Sequence, residues 1–96
     1  MNTTKNNKLI AEFLHGKNAV HPNQYHENWN ELMQVVEKIE NLGFEVVIGR
    51  ISCNVNEILN RENPITSIVC GNPSKKLEVV YSSICQFIQW HNQQNK

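Results

Sequence analysis

The sequence predicts an α+β layered domain: helix, helix, strand, strand, strand, helix, with a small antiparallel sheet packed on the helices. Three observations carry this expectation. Residues 29–42 repeat apolar side chains at helical spacing, and residues 77–90 do so again. Between them, residues 44–55 alternate apolar and polar, with a change of phase at Gly49-Arg50. Amphipathic helices flanking a hairpin bury their apolar stripes most simply by packing on one face of the sheet.

The elements follow in order. Residues 1–6, "MNTTKN", are polar and expected to be a loose end. From Lys8, "KLIAEFLHG" puts Leu9, Ile10, Phe13 and Leu14 on one side of a short helix, and Gly16 can adopt the left-handed conformation that ends it. "KNAVHPNQYHE" reads as a loop, because Pro22 disfavours helix before it and Asn23 favours a turn. Asn28 is the expected cap of the second helix, with Glu31 three residues on in the capping-box position. Trp29, Leu32, Met33, Val36 and Ile39 form its stripe, widened by Val35 and Leu42, and Gly43 closes it. Trp29 is thus expected in the core, with Tyr25 and His26 as a polar lead-in.

"FEVVIGRISCNVNE" predicts a hairpin. With Gly49-Arg50 as a two-residue type II′ turn, Ile48 would face Ile51, Val46 would face Cys53 and Phe44 would face Val55. All six then share one face, opposite Glu45, Ser52, Asn54 and Asn56, and Gly49 supplies the positive φ. "ILNRENP" reads as a loop and "ITSIVCG" as the third strand. "NPSKKLE" opens the last helix, with Asn72 or Ser74 as cap and Pro73 in the first turn. Leu77, Val80, Tyr81, Ile84 and Ile88 form its stripe, and Phe87 and Trp90 lie on a flank. Residues 93–96 are expected to fray. The whole chain, 1–96, reads as one domain.

Composition narrows the function. Nine basic residues balance nine acidic ones, and the only basic doublet is Lys75-Lys76. Duplex nucleic acid is therefore not an expected partner, since phosphate contacts need a local basic footprint. Three cysteines with no CxxC pair read as reduced, apolar-like thiols. No leader pattern and no run of roughly 18–20 apolar residues appears, so a soluble, cytoplasmic protein without membrane contact is expected. A core this small often gains stability by self-association, so a homo-oligomer is expected.

Residues 21–29, "HPNQYHENW", concentrate the chemistry. His15, His21 and His26 lie six and five apart, wider than usual metal-ligand pairs, so no metal and no cofactor are expected. Ser67, Ser74, Cys53 and Cys70 stand in no nucleophile elbow, and Glu27, Glu31, Glu37 and Glu40 lie on or beside the second helix, facing water. Catalysis is not indicated. Tyr25, His26, Trp29 and Trp90 could instead stack and hydrogen-bond a base, while Lys75 and Lys76 at a helix start could hold a phosphate. These six are the candidate ligand-binding residues.

Two segments, "YHENWNELMQVVEKIENLGFEVVI" and "SKKLEVVYSSICQFIQWHN", resemble the small phage and prophage proteins described as the phage αβα-sandwich domain, a family largely of unknown function. The resemblance spans roughly residues 8–93, counted against a helix-strand pattern; Cys85, Gln86 and His91 depart from that pattern. It implies an accessory protein made in the cytoplasm of a bacterial host. The expected function is a small binding protein that sequesters a nucleotide-type host defence signal. Two alternatives stand beside it: inhibition of a host enzyme through a protein surface, and a small hydrolase with His26 or His21 as base.

Overall fold

The computed structural model describes residues 3–16, 25–50, 52–58, 64–69 and 75–94. The element order is α1 (Thr3–His15), α2 (Trp29–Asn41), β1 (Phe44–Ile48), β2 (Ser52–Glu57), β3 (Thr66–Val69) and α3 (Lys76–Gln94). The predicted α+β class and its order of elements are thus the observed ones. Both outer helices are longer than expected. α1 begins at Thr3 rather than Lys8, and α3 runs to Gln94, so residues 3–6 and 93–94 are helical rather than loose. Asn7, only 6% exposed, explains the first extension: its side chain is bonded inside the molecule and holds the first turns of α1.

Local signals set the helix ends. The Asn28 side-chain oxygen accepts from the N–H groups of Asn30 (2.9 Å) and Glu31 (3.3 Å), which satisfies two otherwise unpaired donors of α2. Gly16 (φ 89°) ends α1, where its N–H donates to the Glu12 carbonyl at 2.8 Å, and Gly43 (φ 99°) ends α2. A longer-range cap is added by Lys38, whose ammonium donates to the Phe13 carbonyl at 2.7 Å and places a cation at the negative end of α1.

The core stripe of α2 is narrower than its apolar sequence. Leu32, Val35, Val36 and Ile39 are buried, whereas Trp29, Met33 and Leu42 are exposed, Trp29 by 38%. At 100° per residue, Trp29 and Leu42 point about 70° from the centre of the buried stripe and Met33 about 110°. The expectation of a core Trp29 is therefore corrected. Tyr25, expected in a polar lead-in, is only 1% exposed and takes a core position.

The sheet has the order β1-β2-β3 with both pairings antiparallel. Its inner face is the predicted one but the register is not. Ile48 pairs with Cys53, Val46 with Val55 and Phe44 with Glu57, two residues along from the expected partners. The chain reverses between Gly49, whose N–H donates to the Ser52 carbonyl at 2.8 Å, and Ser52 itself. Among the described residues the positive-φ glycines are Gly16 and Gly43, so Gly49 is not the positive-φ residue of a type II′ turn. Ile51 lies outside the described residues. A slip of two leaves every side chain on its original face, so apolar alternation cannot distinguish the two registers.

α2 packs on β1, and α3 packs on β2 and β3; α1 lies against α3 and α2. The inner face of the sheet presents Val46, Ile48, Cys53, Val55 and Ile68 to this helical layer. Thr66 joins them, its hydroxyl bonded to that of Ser83 at 2.6 Å, so both buried hydroxyls are satisfied. α3 is buried around much of its girth because strands flank one side and helices the other. Phe87, expected on a flank, is consequently fully buried, and Val79, Ser83 and Cys85 are buried with it. On the opposite face of the sheet Val47, Ser67 and Val69 are exposed. There the side-chain oxygens of Asn54 and Asn56 are buried without a hydrogen-bond partner. The predicted cap residues Asn72, Pro73 and Ser74 lie outside the described residues. No helix among the described residues is long and apolar enough to cross a membrane.

Candidate functional site

A continuous polar relay runs inward from the turn before α2. The Glu27 carboxylate lies 3.4 Å from His26 Nε2, and His26 Nδ1 is 3.0 Å from Asn7 Nδ2. The Asn7 side-chain carbonyl accepts from the Tyr81 hydroxyl at 3.0 Å. Tyr81 is bonded in turn to the Cys85 thiol one helical turn along α3. Exposure falls along this line, with the Glu27 side chain 71% exposed and Tyr81 1%.

The relay sets the state of each member. The Asn7 carbonyl is committed to Tyr81, so its amide nitrogen faces His26 and can only donate. His26 Nδ1 must then be the unprotonated nitrogen, leaving the proton on Nε2, directed at Glu27. The Tyr81 and His26 rings meet edge to face with centroids 6.1 Å apart. Burial raises the Tyr81 phenol well above its ordinary value, an effect reinforced by Cys85. Burial also pushes the Cys85 thiol up to about 12, only partly offset by its bond to Tyr81. Cys53 is raised as well, by burial, against a lowering hydrogen bond from Ser83. Neither buried thiol supplies a thiolate near neutral pH, so neither is suited to act as a nucleophile.

The six candidate residues do not form one pocket. Tyr25 is core, His26 belongs to the relay and Trp29 is a partly exposed aromatic three positions further on. Lys75, in the turn that opens α3, forms an exposed pair with Glu78 at 3.6 Å, and Lys76 is the first residue of α3. Trp90 follows 14 residues later, about 21 Å along the helix axis, where its ring packs against Phe44 (6.0 Å) and Phe87 (5.9 Å). The lysines and Trp90 thus sit at opposite ends of α3. His15 is exposed at the end of α1, His21 lies outside the described residues, and His91 stacks on Phe87 at 5.8 Å. Among the described residues no three His, Cys, Asp or Glu side chains are grouped to hold a metal ion.

The structure adds a concave surface that the candidate set omitted. A groove of about 490 Å³ runs along α1, lined by Lys5, Asn6, Lys8, Leu9 and Glu12, with Gln89 of α3 on its other wall. Its volume is that of a small-molecule site. Two cations, two neutral amides, one aliphatic side chain and one carboxylate converge there. The signal was present as charged residues at i, i+3 and i+7. Reading residues 1–6 as a loose end concealed it, because Lys5 and Asn6 join this face only once α1 begins at Thr3. Comparison of the chain with protein-family models, curated proteins and solved structures finds no match.

Proposed function

We propose that this chain is a non-enzymatic binding module that holds a small, nucleotide-type anion. The observation that carries this reading is the groove between α1 and α3, where Lys5 and Lys8 stand one turn apart beside the Asn6 and Gln89 amides and Leu9. Ammonium groups favour a phosphate, amides suit the edge of a base, and an aliphatic wall suits its ring. In the setting that the phage-like sequence pattern implies, the module sequesters a host defence signal in the bacterial cytoplasm and works as a homo-oligomer. The hydrolase alternative has less support: the Nδ1 atom of His26 is committed to Asn7, and the buried thiols are raised.

A second reading, docking on a host protein, is favoured by the exposed sheet face. Val69 is 67% and Val47 41% exposed there, apolar area that a partner would cover. The two readings separate in one experiment: thermal melting with a panel of nucleoside monophosphates, diphosphates, cyclic dinucleotides and ADP-ribose. Ligand at a hundredfold excess over its dissociation constant stabilises the native state by about 2.7 kcal/mol. A midpoint that moves with one class, and no longer moves in Lys8→Ala, supports the binding module. A midpoint unmoved by every class sinks it and leaves the protein-docking reading.

A further inference from the structure

Resting on the binding reading above, we infer that the α1/α3 groove is polarised end to end and takes an amino-substituted nucleoside 5′-monophosphate in one orientation. The phosphate lies at Lys5 and Lys8, and the amino-bearing edge of the base at Glu12 and Gln89. Three features of the groove point this way. Lys5 is in the first turn of α1, where the helix dipole adds to the ammonium groups in favouring an anion. Glu12 lines the groove seven residues further along α1, so a second anionic group there is repelled while an N–H donor is attracted. Gln89 supplies both an amide donor and an acceptor, which matches a base edge that carries an amino group beside a ring nitrogen.

Length agrees with charge. Lys5 and Glu12 are seven residues apart, about 10 Å along the helix axis, comparable to the reach from a 5′-phosphate to the far edge of a purine. The aliphatic Leu9 lies between the two ends, where the ring and sugar would rest. A longer polyphosphate would carry its charge past the lysines or push the base beyond Glu12. The groove therefore selects a single phosphate at one end and an amino group at the other.

The test is calorimetric titration of the full chain with AMP, IMP and adenosine, together with the variants Lys8→Ala and Glu12→Ala. Both side chains sit on the groove surface, and a melting curve on each variant checks that it folds. AMP should bind about tenfold more tightly than IMP, which lacks the amino group, and tenfold more tightly than adenosine, about the worth of one hydrogen bond to a charged group. Lys8→Ala should abolish the preference for AMP over adenosine, and Glu12→Ala the preference for AMP over IMP. Equal affinity for AMP and IMP would overturn the orientation while leaving the binding module standing. Failure of AMP where another nucleotide class shifts the melting point would overturn the monophosphate assignment alone. Failure of every class would remove the binding reading and this inference with it.

Discussion

The hydroxyl of Tyr81 donates to the side-chain carbonyl of Asn7 across 74 positions of sequence, at 3.0 Å and wholly inside the protein. This bond pins the first turns of α1 to α3, and it orients the amide that fixes the proton position on His26. Removing the hydroxyl with Tyr81→Phe leaves a buried carbonyl without its donor. The expected loss is about 1–3 kcal/mol, or a fall of about 4–8 °C in Tm per kcal/mol for a domain of this size. Urea unfolding of Tyr81→Phe, Asn7→Ala and the double variant reads the coupling. Strictly additive losses would show that the bond contributes nothing.

Tyr25 and Trp29 exchange the roles that periodicity assigns them. Tyr25→Ala empties a core position and should cost about 3–5 kcal/mol, the usual range for a buried aromatic. Trp29→Ala, at a position 38% exposed, should cost clearly less. The ratio of the two losses in denaturant titrations is the measurement. A larger loss at Trp29 would contradict the observed orientation of α2.

The glycines at Gly43 and Gly49 should respond differently to alanine. Gly43 holds φ at 99°, a region strained for any L side chain, so Gly43→Ala should destabilise by roughly 1–2 kcal/mol. At Gly49 an added Cβ would come too close only to the Ser52 hydroxyl, at 2.8 Å, which can rotate away, while the Ser52 carbonyl at 3.6 Å stays at ordinary contact distance. Gly49→Ala should therefore lower the melting point less than Gly43→Ala. The reverse order would restore the positive-φ turn at Gly49.

Stability should fall in alkali. The Cys85 thiol is raised from 9.0 to about 12, and the Tyr81 phenol is raised above its ordinary 10.0. Both groups stay protonated in the folded protein at pH values where the unfolded chain has lost the proton. Unfolding then releases protons, so stability is complete below pH 9 and declines as pH rises from about 9 towards 12. Denaturant midpoints taken across pH 7–11 should be flat at first and then drop, with a shallower drop in Cys85→Ala. An identical pH profile in that variant would show that the thiol is not the linked group.

Helix existence, the start of α2 and the glycine ends of α1 and α2 were legible in the sequence because their causes are local, whereas the start of α1 at Thr3 was not, since it rests on the long-range bonds of Asn7. Asn28 caps α2 with its own side chain, and Gly16 and Gly43 adopt conformations that glycine alone takes cheaply, so no knowledge of neighbours was required. The inner face of the sheet was legible for a similar reason, since alternation assigns faces two residues at a time. The hairpin register was not, because a slip of two preserves that alternation.

The candidate site was only partly legible. His26 stood out by residue type, yet its partners Asn7 and Tyr81 come from opposite ends of the chain, and no spacing rule links them. Lys75, Lys76 and Trp90 carried suitable chemistry, but helical rise separates the lysines from the tryptophan along one rod.

By itself, then, the sequence determined the α+β class, the order of elements, the Asn28 cap, the glycines that end α1 and α2 and the inward face of the two hairpin strands, because these follow from backbone conformation and short-range periodicity. Only the tertiary structure decided the register, the burial of Tyr25 and Phe87 over Trp29, the relay through Asn7 and the groove along α1. Each of these depends on which surfaces distant segments present to one another, and burial is set by neighbours in space rather than in sequence.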